Sequence, residues 1–162
     1  MTADATRTYD RGPDVKFPPP LLFVGGLGLG VLLDRFGRVP FEITAPSLVT
    51  VLGLVLGVAG LAIVYTGIVT FRRARTAVYP NRPAKRVVQH GIYAYTRNPM
   101  YVGMAVFYIG GVLVTASLAA LVLLPVVLRV LHVHVIAREE RHLHAAFPEE
   151  YAAYCAKVGR WW

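Results

Sequence analysis

Two groups of polar and aromatic side chains in the second half of the chain have the residue types needed for binding or catalysis. The first occupies residues 85–101, where Asn98 followed by Pro99 is typical of the start of a helix. The free N–H groups and positive dipole at such a start attract anions. Tyr93, Tyr95 and Tyr101 add aromatic faces that suit a planar base or a cation, although an interfacial aromatic belt explains the same tyrosines.

The second group lies near the C-terminus and has the spacing of helices. Glu139, Leu143 and Phe147 are four residues apart, which places them on one helical face. Pro148 followed by two glutamates predicts the start of a further short helix. The apolar face of that helix would consist of Tyr151, Tyr154 and Val158.

Histidines near these glutamates raise the possibility of a metal enzyme. His132 and His134 are two positions apart, and so are His142 and His144, so the members of each pair point to different helix faces. Neither histidine pair has the three-residue spacing of the ligands in helical di-iron sites. The sequence therefore predicts no metal site, and a metal assay that finds stoichiometric iron or zinc would reverse this interpretation.

Long apolar stretches must position these groups. The chain of 162 residues is 56% hydrophobic, and no charged residue occurs in 17–33, 43–71 or 98–128. A membrane-spanning helix needs about 20 apolar residues. The sequence predicts an all-α integral membrane protein with four transmembrane helices, at about 17–33, 47–71, 100–116 and 118–137. Residues 1–16 would be a cytosolic tail, and 17–162 a single membrane domain.

The distribution of basic residues predicts the orientation of the helices. The segment 72–97 holds seven Lys and Arg residues and no acid, whereas the loop 34–46 holds two. Lys and Arg concentrate on the cytoplasmic side of membrane proteins. Both termini are therefore expected in the cytosol and the protein in the cell (inner) membrane. The same rule explains the net charge of +8 without nucleic acid, and makes anionic lipid headgroups the expected partners.

The predicted fourth helix carries ionisable residues where a membrane helix rarely tolerates them. Arg129 lies 11 residues after Leu118, about 16 Å along a helix, and therefore just past the middle of the bilayer. Such groups usually face a cavity or a partner, so we expect a polar pocket open to the cytosolic leaflet. The alternative is an arginine that snorkels to the interface and histidines satisfied within the core.

Glycines at helical spacing indicate closely packed membrane helices. The pairs are Gly26 with Gly30, Gly53 with Gly57, and Gly103 with Gly110. Small residues at such spacing let helix backbones approach each other. No strand precedes the glycine-rich run 25–30, so a nucleotide-binding loop is a weak interpretation of it.

Several blocks together resemble the isoprenylcysteine carboxyl methyltransferase family and the related membrane phospholipid methyltransferases. The resemblance covers about residues 70–160. The blocks that carry it are Gly91-Ile92-Tyr93, then Arg97-Asn98-Pro99-Met100-Tyr101-Val102-Gly103, then Glu139-Glu140 with Leu143 and Phe147, and finally Tyr151, Tyr154, Val158 and Arg160.

The resemblance implies a methyl donor, S-adenosyl-L-methionine, bound at the cytosolic end of the last two spans and covered by short C-terminal helices. It also implies the residues of the site. The cofactor would be bound by Lys85, Arg86, Val87, Val88, Tyr93, Asn98, Pro99, Met100 and Tyr101. Glu139 would face the acceptor, with Arg129 as a second catalytic candidate, and Arg129 and Arg138 would contact the substrate beside Glu139.

One departure concerns the acceptor. The eukaryotic members of the resembled family place an acceptor-binding arginine four residues before the first glutamate, and this chain has Val135 there. Arg129 or Arg138 would replace it, or the acceptor differs. The expected reaction is therefore methyl transfer to a lipophilic carboxylate, amine or thiol at the cytosolic leaflet. The acceptor would be a lipophilic small molecule, a lipid or a lipidated peptide.

Two other functions remain open from the sequence. The membrane domain of steroid reductases is distantly similar, which would make the protein an oxidoreductase with a nicotinamide cofactor. The second alternative is a non-catalytic membrane module, in which the second group of residues forms an amphipathic helix on the membrane. The second alternative leaves the ionisable residues of the fourth span unexplained.

Overall fold

The computed structural model is helical throughout its regular structure, and it describes Pro13, Val15, Ala84 and residues 17–36, 46–76 and 86–161. Six α-helices lie in these ranges: α1 (Pro19–Phe36), α2 (Ser47–Arg73), α3 (Pro99–Thr115), α4 (Leu118–Leu131), α5 (Ala137–Ala146) and α6 (Pro148–Lys157). A π-helical turn, His132–Ile136, joins α4 to α5, and a short 3₁₀ turn occupies Gly91–Ala94. The prediction of an all-α protein is confirmed for the described residues.

Three helices in the described part of the chain are long and apolar enough to cross a membrane. They are Pro19–Phe36, Ser47–Arg73 and the continuous run Leu118–Ala146, while α3 is apolar but has only 17 residues. Three of the four predicted spans are therefore supported, and the span predicted at 100–116 stays a prediction. The last run extends past the predicted end at 137, because the polar residues of α5 continue the helix beyond its apolar part.

The chain divides into two compact units, each built from separated segments. We call residues 18–64 and 101–131 the apolar unit, and residues 1–17, 65–100 and 132–162 the polar unit. The predicted division into a tail, 1–16, and one domain, 17–162, stays a prediction, and most of that tail lies outside the described residues.

Glycines set the helix contacts of the apolar unit. A Cβ atom added at Gly60 would lie 2.6 Å from the carbonyl oxygen of Gly103, and one added at Gly53 would lie 2.8 Å from that of Gly110. At Gly30 it would meet the backbone of Ala120. The expectation of close packing at small residues is thus confirmed at most of the predicted glycines, whereas Gly60 was not among them.

Asp34, at the end of α1, fixes the start of α4. Its carboxylate accepts a hydrogen bond of 2.5 Å from the Ser117 hydroxyl and one of 3.2 Å from the Ala119 N–H. Ser117 in turn accepts from the Ala120 N–H. These bonds satisfy N–H groups that a helix start leaves without partners. The turn predicted at 115–117 is confirmed, with Ala116 in the left-handed conformation at φ 50°.

Replacing Gly30 by alanine is expected to lower the stability of the protein by about 2 kcal/mol, because the new methyl group would displace the Ala120 backbone. Gly28→Ala is the matched control, since nothing lies within 4 Å of a Cβ at that position. Thermal unfolding in one detergent measures both variants. Equal midpoints for the two would show that the α1–α4 contact does not depend on the glycine.

Candidate functional site

The two sequence groups come together within the polar unit. Val87 is buried against Tyr151 and Tyr154 of α6, and Leu143, Phe147, Cys155 and Val158 pack around this cluster. The predicted short helix therefore exists, and its predicted apolar face covers the segment that begins at residue 86. Side chains that are about 60 residues apart in the sequence therefore form one core.

Tyr93 lies at the centre of the adjoining core. The 3₁₀ turn Gly91–Ala94 begins at Gly91, whose φ of +63° suits glycine, and it places the Tyr93 ring inside the unit at 4% exposure. The Phe71 ring lies 4.9 Å away between centroids. The Tyr154 hydroxyl donates a 2.6 Å hydrogen bond to the Tyr93 carbonyl oxygen. This bond joins α6 to the turn.

The Tyr93 hydroxyl is buried and has no hydrogen-bond partner among the described residues. Burial raises the pKa of this phenol above its usual range, and the negative charge of Glu139 raises the pKa further. Glu139 is therefore close enough to act electrostatically on the hydroxyl. A buried hydroxyl without a partner costs about 1–3 kcal/mol, so this position favours a ligand that provides one.

A charged network surrounds Glu140. The Arg160 guanidinium donates two hydrogen bonds to the Glu140 carboxylate, at 2.9 and 2.7 Å, in the bidentate geometry that arginine favours. Arg97 Nη1 lies 3.2 Å from the same carboxylate. The Arg97 side chain is 13% exposed and that of Glu140 15%, so this pair is largely removed from water. The carboxylate therefore balances two arginines in a partly desolvated place.

The end of the chain is bonded to the residues that precede α3. The Arg97 N–H donates to the Gly159 carbonyl oxygen at 3.0 Å. The Thr96 hydroxyl and the side-chain amide of Asn98 both donate to the Arg160 carbonyl oxygen, at 3.1 and 3.0 Å. Asn98 also precedes the helix start at Pro99, as predicted. The residues just before α3 thus hold the chain end through three separate bonds.

The structure places most predicted site residues in the polar unit. Arg86 is exposed there, Val87 and Val88 are buried, and Met100 packs beside Tyr93. The unit also contains Asn98, Pro99, Arg138 and Glu139. Tyr101, which is buried, and Arg129, which is exposed, belong to the apolar unit, and Lys85 lies outside the described residues. The roles assigned to all these residues stay predictions.

The predicted cofactor- and substrate-binding residues did not include three residues that form the charged network: Arg97, Glu140 and Arg160. Each lies inside one of the sequence blocks that carry the family resemblance, and this was the available signal. Those blocks contain two arginines, Arg97 and Arg160, and two acids, Glu139 and Glu140, and the structure shows that both arginines contact Glu140. Val135, at the position of the resembled family's arginine, is fully buried in the π-helical turn. It is an apolar packing residue.

A helical membrane protein with a polar unit of this kind is consistent with an enzyme that acts at a bilayer. The family model described as phospholipid methyltransferase matches residues 48–150, which is more than half of the chain. The chain belongs to this family, and the resemblance seen in its sequence blocks is confirmed. Membership indicates methyltransferase activity, and the apolar helices indicate an integral membrane protein. No curated protein and no solved structure matches the chain.

Alkaline pH is expected to destabilise the polar unit through its buried tyrosines. Burial raises the pKa of Tyr154 from 10.0 to about 12, against a lowering effect of Arg97. The unfolded phenol ionises first, so this contribution to stability is complete below pH 10 and is lost between pH 10 and 12. Unfolding midpoints between pH 8 and about 11.5 measure it. Tyr154→Phe should flatten the decline, and an unchanged slope would contradict the assignment.

Proposed function

We propose that the protein is an S-adenosyl-L-methionine-dependent methyltransferase that acts on a lipophilic acceptor at the cytosolic leaflet. One observation carries the proposal: the polar unit brings together residues 86–98 and 139–160, with the buried Tyr93 hydroxyl beside the charge of Glu139. Family membership supports the reaction class. The seven-to-two distribution of Lys and Arg supports the cytosolic side.

The residues of the polar unit fit the chemistry of this cofactor. Its sulfonium and ammonium groups are cations, which the charge of Glu139 attracts. Its polar groups would offer a partner to the Tyr93 hydroxyl, which has none among the described residues. When bound, the cofactor supplies an electrophilic methyl group. The proposed binding residues in this unit are Arg86, Val87, Val88, Tyr93, Asn98, Pro99 and Met100, and Lys85 and Tyr101 are added by the resemblance alone.

The contribution of the protein to methyl transfer is mainly alignment. An in-line displacement requires the acceptor atom to be held on the axis of the breaking bond. The packed turn at Tyr93, bonded to α6 by the Tyr154 hydroxyl, gives a rigid frame for this purpose. A carboxylate or thiolate acceptor needs no base. For an amine acceptor, Glu139 would take the proton, with Arg138 and Arg129 proposed as further contacts to the acceptor.

The acceptor is proposed to be a membrane lipid or another lipophilic molecule. The family name and the exposed apolar surfaces of the spanning helices both support entry from the bilayer. Val135 is buried and apolar, so it provides no charge for an acceptor carboxylate. Transfer of a labelled methyl group to fractionated membrane lipids, lipidated peptides and small lipophilic thiols would identify the acceptor class.

Calorimetry tests the cofactor directly. The purified full-length protein in lipid nanodiscs is titrated with S-adenosylmethionine, S-adenosylhomocysteine and, separately, reduced nicotinamide dinucleotides. Binding of the first two alone is the expected result. Binding of the nicotinamide alone would support the oxidoreductase alternative, and binding of none in any lipid would contradict the proposal and favour a non-catalytic module.

Replacing Tyr93 by phenylalanine is expected to act in opposite directions on stability and binding. Without ligand, the variant loses a buried hydroxyl that has no partner among the described residues, so its stability should rise by up to about 1 kcal/mol. Affinity for S-adenosylhomocysteine should fall about tenfold, because the ligand loses a buried hydrogen bond. Tyr95→Phe is the control, since Tyr95 is 79% exposed. A Tyr93→Phe variant with unchanged affinity would remove Tyr93 from the site.

A further inference from the structure

The last residues of the described chain form a non-helical segment after α6. Val158 still packs on the apolar cluster of α6, whereas Gly159, Arg160 and Trp161 follow it outside any helix. We call residues 159–161 the clasp. It is bonded to Thr96, Arg97 and Asn98 by the Gly159 and Arg160 carbonyl oxygens. These are the residues just before α3, and Asn98 is among the proposed cofactor-binding residues.

One side chain locks the clasp in place. The Arg160 guanidinium makes the bidentate contact to Glu140, and this carboxylate also holds Arg97. The Arg160 side chain is 38% exposed, against 15% for Glu140. Water therefore reaches the Arg160 side of the network first. Hydrogen bonding to Glu140 raises the pKa of Arg160, so the guanidinium stays charged.

The bonds of the clasp differ from those of a helix. They are single hydrogen bonds to a neighbouring segment, without the repeated ladder that makes a helix cooperative. Segments held by few bonds open locally while the rest of the protein stays folded. Opening of this segment would free the Thr96 hydroxyl and the Asn98 side-chain amide, while the Arg97 side chain stays bonded to Tyr151 and Cys155 of α6.

We propose that the clasp gates the exchange of S-adenosylmethionine and its demethylated product, and that Arg160 is the positioning residue that keeps it closed. This inference rests on the proposed function, because it concerns the same site. A gate affects entry and exit together. A residue that only contacts the ligand changes its exit rate alone, so the two roles give different kinetics.

The first test needs no ligand. The Arg97 amide hydrogen is bonded to the Gly159 carbonyl, so its exchange with deuterium reports clasp opening. Arg160→Gln in the full-length protein should accelerate this exchange about tenfold, the effect of losing a charge-assisted bond. The exchange rate in Arg160→Lys should lie between the rates in the wild type and in Arg160→Gln. Arg141→Gln is the control, because exposed Arg141 bonds only the Ala137 carbonyl of its own helix among the contacts seen. Unchanged exchange in Arg160→Gln would overturn the proposal.

The second test measures the ligand. The only two tryptophans of the chain are Trp161 and Trp162, so stopped-flow tryptophan fluorescence reports directly on the chain end. In Arg160→Gln, the association and dissociation rates of S-adenosylhomocysteine should both rise about tenfold, while the equilibrium affinity changes much less. An increase in the dissociation rate alone would overturn the gate and leave a ligand contact.

Two further outcomes separate the inference from the function on which it rests. Absence of binding to the wild-type protein would overturn the proposed function and the gate together. Wild-type binding with unchanged rates in Arg160→Gln would overturn the gate alone. If Arg160→Gln does not fold, Thr96→Val keeps the shape of the side chain and removes the clasp bond of its hydroxyl, together with the bond that this hydroxyl accepts from the Asn98 N–H. It should then accelerate exchange and both rates by a smaller factor, and no acceleration would overturn the proposal.

Discussion

Replacing Glu140 by glutamine is expected to reduce the free energy of unfolding by about 3 kcal/mol. The carboxylate balances Arg97 and Arg160, and both it and the Arg97 side chain are largely buried. Without its charge, two arginines face each other in a partly desolvated place. Removing one partner of a buried ion pair costs far more than the pair contributes in net stability, because the remaining charge is left uncompensated.

The Glu140→Gln effect is measured by chemical unfolding in a single detergent, followed by far-ultraviolet circular dichroism. Glu149→Gln is the matched control, since Glu149 is exposed in the first turn of α6. It should change stability by about 0.5 kcal/mol, through the helix dipole alone. A Glu140 variant as stable as the Glu149 variant would show that the network contributes little.

Tryptophan fluorescence adds a second measurement to the Glu140 experiment. Both tryptophans lie at the chain end, next to Arg160. In the variant, their signal should change at lower denaturant concentration than the circular dichroism, because the end detaches before the helices unfold. Coincident transitions would show that the chain end and the helices unfold as one unit.

The Glu140 network also shows where prediction from the sequence stops. Arg160 lies 20 residues from Glu140, and Arg97 is farther still. The chain contains 17 Lys and Arg residues and 9 acids, so many pairings are equally plausible before the fold is known. Ion pairs over such separations depend on which segments the fold brings together. The sequence identified the blocks that contain these residues without identifying their partners.

The helices were more predictable, because local patterns determine them. Charge-free stretches located α1, α2 and the run that begins at Leu118, and prolines at Pro99 and Pro148 marked two helix starts within a residue. The glycine pattern predicted close packing, but Gly60 lies outside the pairs that were singled out, and its contact with Gly103 depends on helix register. The π-helical turn was not predicted, since such turns are rare inside α-helices.

The candidate site was predictable in part for the same reason. Tyr93, Asn98, Pro99 and Glu139 follow from local motifs and from the family resemblance. The burial of the Tyr93 hydroxyl does not, because it depends on Phe71 and on the α6 helix that packs over the turn. The position of Glu139 near this hydroxyl is likewise a property of the fold. Together these two features support the proposed binding site over an interfacial belt of tyrosines.

Replacing Glu139 by glutamine is expected to reduce the rate of methyl transfer about 100-fold for an amine acceptor, the usual effect of losing a positioned base. The change keeps the shape of the side chain and removes its charge. Affinity for S-adenosylhomocysteine should fall less than affinity for S-adenosylmethionine, because the product keeps the ammonium group but lacks the sulfonium charge that Glu139 attracts. The measurement is the initial rate of labelled methyl transfer to membrane lipids in nanodiscs, with bound product determined in parallel.

Comparison with Glu149→Gln and with pH separates the roles of Glu139. The control glutamate is exposed on α6 and should leave the rate unchanged. If Glu139 takes a proton from an amine, raising the pH should partly restore the rate of Glu139→Gln, because more of the acceptor is then unprotonated. A rate that stays low at every pH would assign Glu139 to alignment of the acceptor instead. A rate within threefold of the wild type would exclude Glu139 from both roles. Arg138 would then be the proposed acceptor-binding residue.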